Sequence, residues 1–188
     1  YQPTGDHRPS AWQLRAAAIK ARALTERFDG LQGRELLAPL IGQVFPGRIA
    51  LVSSFGAEAA VLLHLVAAVD PATPVIFLDT GKLFGETLRY RDQLIAKLGF
   101  QDVRVIKPDP DRLQELDADG LLWRRDPDRC CGLRKVEPLL QALRGFEAWI
   151  TGRKRFHGAE RSDVPSIEAA DGKIKINPLA AWSAEEVA

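Results

Sequence analysis

The cysteines of this sequence are adjacent, at Cys130 and Cys131, and the sequence contains no others. Adjacent cysteines rarely form a disulfide with each other, because the geometry of such a bridge is strained. The neighbouring Arg129, Arg134 and Lys135 are cationic, and cations stabilise thiolates. Two thiolates are half of a four-cysteine zinc or iron–sulfur site. The pattern predicts a reduced thiol pair, with two small apolar residues on a buried helix as the alternative.

Two short turns that follow apolar runs carry small and polar residues. The first reads Ser53-Ser54-Phe55-Gly56 after the run 49–52, and the second reads Asp79-Thr80-Gly81 after the run 75–78. Hydroxyls, backbone N–H groups and glycines at such turns let the chain approach an anion or a ribose. Neither turn has the sequence of a Walker A loop or of a dinucleotide-binding G-x-G-x-x-G. Taken alone, the first turn also fits a plain strand-to-helix cap, so its chemistry stays open.

A third candidate is the basic loop that follows the apolar run 148–150. Residues 151–161 contain four Arg and Lys side chains, and in the longer stretch 124–161 ten basic residues outnumber five acidic ones. Arginine can hold a phosphate or sulfate through two hydrogen bonds at once. The loop therefore predicts an anion clamp, and a solvated surface loop is the alternative.

These turns need elements to position them, and hydrophobic periodicity predicts alternating strands and helices. The alternation implies an α/β fold with a doubly wound, mostly parallel sheet, in which ligands bind beyond the carboxyl ends of the strands. We expect an N-terminal helical segment over 1–45, an α/β domain over 46–188, and a hairpin over 166–176 that turns at Asp171-Gly172. The predicted helices are 10–28, 31–44, 57–69, 83–98 and 129–143, and the predicted strands are 49–52, 75–78, 103–106 and 148–151.

Composition excludes several classes of protein. A chain of 188 residues with 46% hydrophobic and 27% charged residues is typical of one globular domain, and no apolar run is long enough to cross a bilayer. The net charge of +1 creates no strong field toward nucleic acid or anionic lipid. We therefore expect a cytoplasmic protein without a nucleic-acid or membrane partner.

A capping box at Ser183-Ala-Glu-Glu186, close to the last residue of the sequence, predicts that the sequence is truncated at its C-terminus. The four tryptophans, Trp12, Trp123, Trp149 and Trp182, are assigned to packing.

Five motifs, taken together and in order, resemble the APS/PAPS reductase family, whose members reduce adenylyl sulfate (APS) or phosphoadenylyl sulfate (PAPS). The resemblance spans residues 45–183. Its most specific part is the adjacent cysteines, which resemble the APS branch, since PAPS reductases usually lack them. The motifs are Ser53-Ser54-Phe55-Gly56-Ala57-Glu58, Leu78-Asp79-Thr80-Gly81, Cys130-Cys131-Gly132-Leu133-Arg134-Lys135-Val136-Glu137-Pro138, Trp149-Ile150-Thr151-Gly152-Arg153 and Asn177-Pro178-Leu179.

The resemblance implies a PP-loop, adenine-nucleotide hydrolase-like fold in which the two turns and the basic loop enclose APS. Cys130 and Cys131 would be two of the four ligands of a [4Fe-4S] cluster, and Lys135 would support catalysis between the cluster and the substrate sulfate. A C-terminal Glu-Cys-Gly-Leu-His segment would supply the nucleophile, forming an S-sulfocysteine and expelling AMP, and thioredoxin would then release sulfite. The implied substrate-binding residues are Ser53, Ser54, Phe55, Gly56, Glu58, Leu78, Asp79, Thr80, Gly81, Lys135, Gly152, Arg153, Lys154, Arg155 and Arg161.

The sequence departs from the family pattern in three places. The nucleophile segment and a second cysteine pair are absent, and His157-Gly158 stands where Gln-Ser is frequent. We therefore expect this stretch alone to bind nucleotide without turnover. The alternatives are a PAPS reductase, an ATP-pyrophosphatase-like adenylyl transferase of the same fold, whose first turn favours Ser-Gly-Gly-x-Asp, and an inert nucleotide-binding module. A homo-oligomer stays open.

Overall fold

A six-stranded sheet is the framework of the computed structural model, which describes residues 9–154 and 164–187. The strands lie in the order β3-β2-β1-β4-β6-β5, and every neighbouring pair is parallel except β5 with β6. This arrangement confirms the doubly wound, mostly parallel sheet and the hairpin expected from the sequence. The strands are β1 Ile49–Val52, β2 Val75–Leu78, β3 Val103–Ile106, β4 Ala148–Ile150, β5 Ile167–Ala170 and β6 Lys173–Ile176.

Helices connect the parallel strands, and most begin close to where periodicity predicts them. The predicted helices 57–69 and 83–98 each begin two residues later, at Ala59 and Gly85. The helices are α1 Ala11–Arg27, α2 Gly33–Pro39, α3 Ala59–Val69, α4 Gly85–Leu98, α5 Pro110–Asp117, α6 Leu122–Arg125, α7 Pro127–Cys131, α8 Glu137–Ala142 and α9 Ala184–Val187. Two π-helical turns, Leu40–Val44 and Gly132–Val136, extend α2 and join α7 to α8.

The region between β3 and the cysteines differs from the sequence prediction. The sequence predicts no helix between the strand 103–106 and the helix 129–143, yet Pro110 begins α5. The Asp109 carboxylate accepts hydrogen bonds from the N–H groups of Asp111 and Arg112, at 2.9 and 3.1 Å, and Pro110 occupies the first helical turn. Asp as an N-cap followed by Pro at the first position is a strong helix start. The prediction therefore missed α5 and α6.

The core lies between the sheet and the helices on one face, and the N-terminal helices take part in it. Leu24 of α1 and Leu36 of α2 belong to the same buried cluster as Leu51 of β1 and Ile150 of β4. A smaller cluster on the other face contains Ala50 and residues of α8. No helix in the described part of the chain is long and apolar enough to span a bilayer.

The order of the strands creates a switch point beside β1. The chain leaves β1 toward β2 and β3 on one side, then returns to place β4 on the other side of β1. The connections that follow β1 and β4 therefore diverge to opposite sides, which opens a crevice at the carboxyl ends of these two strands. In open α/β sheets, this crevice is where ligands bind.

Candidate active site

A cavity of about 430 Å³ lies at the switch point, and we call it the switch-point cavity. Its walls are the end of β1, the turn that follows it and the loop that follows β4, at residues 52–54, 56–59, 62 and 152–154. The two strands pair in parallel with each other, and β2 and β6 pair with them on their outer sides, so the position of these two loops is set by the sheet. Predicted site residues from both loops line the cavity: Ser53, Ser54, Gly56, Glu58, Gly152, Arg153 and Lys154.

The turn after β1 is held by its own side chains. The Ser53 hydroxyl accepts a hydrogen bond from the Phe55 N–H at 3.1 Å. Phe55 takes a left-handed backbone conformation, with φ of 52°, and its ring is fully buried edge-to-face against Phe77, with centroids 5.5 Å apart. A φ of this sign is unusual for a bulky residue and persists only where packing enforces it. The buried Phe55 ring thus fixes the turn and leaves Ser54 and Gly56 exposed at the cavity.

The loop after β4 places a buried cation against the same turn. The Lys154 side chain is only 3% exposed, and its Nζ lies 2.8 Å from a carboxylate oxygen of Glu58. The burial of a lysine side chain this deeply is costly unless a charged or hydrogen-bonding partner accompanies it. The ion pair joins the two loops across the cavity, and it puts both charges within the site.

A polar network behind this loop reaches the hairpin. The Thr151 hydroxyl donates to the Asn177 amide oxygen at 2.7 Å, and the Asn177 amide donates to Glu168 at 3.0 Å. Arg153 approaches the same carboxylate, with an N–O distance of 3.6 Å, and Lys175 lies 3.2 Å from it. Asn177 is fully buried. Asn177 holds Thr151, the first residue of the basic loop, in place. The Asn-Pro-Leu motif therefore supports the switch-point cavity without lining it.

A second cavity of about 430 Å³, the cysteine cavity, lies beyond the carboxyl end of β2. Residues 80, 82 and 83 of the turn after β2 form one wall, and the segment that carries the cysteines forms the other. Cys130 is buried against Leu122 and Leu133, whereas Cys131 is exposed. Both cysteines line the cavity, together with Thr80, Lys82, Leu83, Trp123, Pro127, Arg134 and Lys135.

The Leu-Asp-Thr-Gly turn is closed by its own carboxylate. An oxygen of Asp79 accepts a hydrogen bond from the Gly81 N–H at 3.0 Å, and Gly81 adopts a left-handed φ of 70°. Both features are typical of a tight Asx turn. The Thr80 carbonyl accepts a hydrogen bond from Arg134 at 2.7 Å, so the cysteine-bearing segment contacts this turn directly.

Most of the predicted site residues that the structure describes therefore lie at the two cavities, but some of them do not. Phe55, Leu78 and Asp79 line neither cavity, because Phe55 belongs to the core, Leu78 packs in the smaller apolar cluster and Asp79 closes its turn. Gly81 lies against Arg134, and a Cβ there would come within 3.5 Å of its Nη1. Arg155, Arg161 and the His157-Gly158 pair lie outside the described residues.

Sequence reasoning missed several residues of the cysteine cavity. Arg134, Lys82 and Trp123 line it, although the first was read only as a cation near the thiols and the last was assigned to packing. Trp123 is 54% exposed and Trp12 is 75% exposed, so the packing assignment is wrong for both. Trp123 sits on α6, a helix that was not predicted, and the position of α6 beside the cysteines has no local signal in the sequence.

The donor set at the cysteine cavity fits half of an iron–sulfur site. Within residues 9–154 and 164–187, no three His, Cys, Asp or Glu side chains are grouped to hold a metal ion. Adjacent thiols, one of them exposed and both facing a cavity with cationic walls, fit two of the four thiolate ligands of a [4Fe-4S] cluster. Cys130 and Cys131 are the residues that would hold it.

Comparison with known proteins agrees with this geometry. The profile of the phosphoadenosine phosphosulfate reductase domain matches residues 48–188 of the chain. The chain belongs to this family. It is 46% identical to the adenosine 5'-phosphosulfate reductase of Mesorhizobium japonicum, over 91% of this chain and 67% of that protein. It is 44% identical to the enzyme of the same name from Chelativorans strain BNC1, over 92% of this chain and 71% of that one.

A solved member of the family shares the fold. The crystal structure of phosphoadenylyl-sulfate reductase from Candida auris, a phosphate complex, superposes with a TM-score of 0.72 at 26% identity. The superposition covers 89% of this chain and 81% of that one. The resemblance to the APS/PAPS reductase family and the PP-loop type of fold are thereby confirmed.

Proposed function

We propose that this protein reduces adenylyl sulfate to sulfite and AMP, with thioredoxin as the electron donor, in the assimilation of sulfate. The observation that carries the proposal is the cysteine cavity, where an adjacent thiol pair shares one wall with Lys135 and faces Thr80 of the Leu-Asp-Thr-Gly turn. The identity with relatives named adenosine 5'-phosphosulfate reductase supports the choice of APS over PAPS.

The switch-point cavity suits the nucleotide part of this substrate. Ser54 and Gly56 present a hydroxyl and a backbone N–H in the turn that leads into α3, and the N-terminal end of a helix favours an anion. Arg153 and Lys154 add positive charge from the opposite loop. Charge on the phosphate that leaves with AMP is best stabilised by donors already held in place. Lys154, buried and paired with Glu58, meets that condition.

The cysteine cavity suits the sulfate end and an iron–sulfur cluster. Cys130 and Cys131 would bind the cluster, and Lys135 is exposed beside them and makes no ion pair with another described residue. When bound, the cluster would supply a charged centre beside the site, and Lys135 would place a positive charge between it and the substrate sulfate. The pair would stay reduced in the cytoplasm, where thiols are kept from forming disulfides.

The proposed reaction moves two electrons from thioredoxin to the sulfonyl sulfur. The thiolate of the C-terminal Glu-Cys-Gly-Leu-His segment that the family resemblance implies attacks that sulfur, the bond to the phosphate oxygen breaks, and AMP leaves with its electron pair. A thioredoxin thiolate then attacks the cysteine Sγ, and sulfite leaves with the S–S bonding pair. The second thioredoxin thiolate attacks the resulting mixed disulfide, which oxidises thioredoxin to its disulfide and releases the cysteine as a thiolate. The printed sequence holds no cysteine besides the proposed cluster ligands. This chain's own residues therefore bind, orient and electrostatically stabilise the substrate.

The test is a sulfite-release assay with the protein expressed from its own gene, reduced thioredoxin and radiolabelled APS, with PAPS in parallel. Sulfite and AMP from APS, and much less from PAPS, are expected. A reversed preference would make PAPS the substrate. Tight binding of APS without sulfite release would favour the inert binding module, and failure to bind either nucleotide would overturn the proposal.

Lys135 offers a sharper form of the same test. Lys135→Ala should lower sulfite release about 100-fold while leaving folding intact, because an exposed lysine contributes little to stability and a charge at the reacting group contributes much. Lys97→Ala, at an exposed position on α4, is the matched control and should retain full activity. Equal activity in the two variants would remove Lys135 from the site. Oligomeric association stays a prediction of the sequence.

A further inference from the structure

Arg134, next to Lys135 in the sequence, points inward and forms a buried ion pair with Asp117. One Nη lies 2.5 Å from a carboxylate oxygen, the Arg134 side chain is 9% exposed, and the Asp117 side chain is fully buried. The consecutive cations of the cysteine motif thus have different surroundings. Lys135 is exposed and Arg134 is neutralised by a partner from the end of α5.

The pair joins elements that are far apart in the sequence. The other Nη of Arg134 donates to the Thr80 carbonyl at 2.7 Å, and the second Asp117 oxygen accepts from the Leu122 N–H at 2.7 Å. The turn after β2, the end of α5, the start of α6 and the π-helical turn behind the cysteines therefore meet at one ion pair. A planar guanidinium can span two acceptors in this way, whereas a lysine ammonium is a single point of charge.

Energetics favour a positional role for this pair over a stabilising one. Two charges lose their hydration on burial, so a buried ion pair is often no more stable than apolar side chains of similar size. The Arg134 Nε is also buried, and it has no hydrogen-bond partner in the described part of the chain. An unpaired buried donor costs free energy. The pair therefore adds little net stability, and its role is to fix the geometry of the four elements that meet at it.

The Asp117 carboxylate is ionised in this pair. Burial by itself raises the pKa of Asp117, but the hydrogen bonds from Arg134 and the Leu122 N–H, with the charges of Arg134 and Lys82, lower the pKa by more. Asp117 is therefore ionised at neutral pH. The groups that face it from neighbouring elements, Arg134 and Lys82, are both cations.

We propose that Arg134 and Asp117 are positioning residues, which hold the Leu-Asp-Thr-Gly turn against the cysteine-bearing segment and so set the affinity for the nucleotide substrate. Neither residue is proposed to touch the reacting atoms. The link to affinity rests on the function proposed above, whereas the link between the pair and the order of the turn does not.

An exposed pair of the same residue types provides the control. Arg125 and Asp119 form an ion pair on the same side of the molecule, between α6 and the loop before it, with side chains 54% and 49% exposed. Solvent-exposed pairs of this kind contribute little to structure. Arg125→Lys therefore changes the same functional group as Arg134→Lys without removing a buried contact.

The first measurement is hydrogen exchange of the peptide 79–84, in which the amides of Gly81 and Lys82 are bonded to side chains of their own turn. Arg134→Lys should speed exchange of this peptide about tenfold, with the strands of the core unchanged, because it loses a charge-assisted bond to the turn. Arg125→Lys should exchange like wild type. Unchanged exchange in Arg134→Lys would overturn the proposal, as would a uniform rise over the whole chain.

The second measurement is the affinity for APS, by calorimetry without thioredoxin. Arg134→Lys should bind about tenfold more weakly and Arg125→Lys should match wild type. If wild type binds and Arg134→Lys binds equally well, the positioning proposal is wrong. If wild type does not bind, the proposed function fails, and hydrogen exchange still decides the link to the turn. Should Arg134→Lys not fold, Asp117→Asn replaces it in the affinity measurement, with the same tenfold loss expected; if neither folds, the pair is needed for folding and the proposal is overturned.

Discussion

The switch-point cavity and the cysteine cavity have the same volume and open at the carboxyl ends of parallel strands, but they are built in different ways. The switch-point cavity is made mainly by two short stretches, 52–59 and 152–154, each continuous in the sequence. The cysteine cavity takes side chains from the turn after β2, from α6, from α7 and from a π-helical turn. A continuous stretch can be recognised as a motif, whereas a wall assembled from several elements depends on contacts that no single segment reveals.

Their electrostatics differ in the same way. Among the described residues, the switch-point cavity has one buried cation, Lys154, paired with the largely exposed Glu58 across the opening. The cysteine cavity keeps its ion pair, Arg134 with Asp117, inside the wall, and it presents Lys135 on the exposed side. The first arrangement puts charge where a ligand would bind, and the second uses charge to hold the wall. The two cavities should therefore respond differently to the loss of a charge.

The largest expected effect is the loss of bound iron, which should follow a change in the cysteine cavity and not one in the switch-point cavity. Cys131→Ser should abolish iron retention, because a serine hydroxyl is a poor substitute for a thiolate ligand. Iron per protein and the visible absorption of the purified protein are the measurements. Ser54→Ala, in the switch-point cavity, should keep its iron and lose nucleotide affinity instead. A full complement of iron in Cys131→Ser would remove the cluster from this cavity.

The second prediction concerns the wall of the cysteine cavity and its dependence on pH. Asp117→Asn should lower the free energy of unfolding at pH 7 by about 3 kcal/mol, because it leaves a buried arginine without its counter-charge. The pKa of Asp117 is below its ordinary value of 3.8 in the folded protein. The stabilisation is thus present above that value and is lost as the pH falls through the folded pKa. Denaturant unfolding of both proteins between pH 3 and pH 7 is the measurement.

The control for this prediction is the exposed pair. The pKa of Asp119 is lowered to about 2 by Arg125 and by a backbone N–H, yet both side chains are in solvent. Asp119→Asn should therefore change stability little at any pH. A constant difference between wild type and Asp117→Asn down to pH 3 would contradict the assignment of an ionised, buried Asp117.

The third prediction concerns the charge inside the switch-point cavity. Lys154→Met keeps much of the apolar side chain but removes the charge that faces Glu58. Affinity for APS should fall about tenfold, because one charge-assisted contact in a partly desolvated site is lost. Titration calorimetry against Lys97→Met, which changes an exposed lysine of α4, is the measurement. Equal affinities would exclude Lys154 from the binding site.

The same contrast between continuous and assembled structure explains what the sequence could predict. The strands β1, β2 and β3 coincide with the predicted runs, because short buried strands leave strong apolar signals between turns. The hairpin at Asp171 was predicted because its turn chemistry is local; Asp171 indeed has a positive φ of 51°. Helices α5 and α6 were missed because they are short and mostly exposed, so they carry little apolar periodicity.

The candidate site follows the same rule. Ser54, Gly56 and Arg153 were predicted and line a cavity, since their motifs sit directly after strands. Phe55 was predicted by its place in a motif, but its ring serves the core. Asp117 was not singled out at all. Nothing in its own segment marks it, because its importance arises from Arg134, which lies 17 residues further along the chain.

The smallest expected effect compares Gly81, in the turn after β2, with Gly56, which lines the switch-point cavity. Gly81 has a φ of 70°, and a Cβ there would lie 3.5 Å from the Arg134 guanidinium, whereas Gly56 has an ordinary φ and would make an ordinary contact of 3.6 Å with Ser54. Gly81→Ala should lower the free energy of unfolding by about 1 kcal/mol, since a left-handed conformation costs that much for alanine. Gly56→Ala should be near neutral for stability. Denaturant midpoints of the two variants test this difference, and equal midpoints would show that the turn after β2 can relax, which would weaken the case that Arg134 holds it in place.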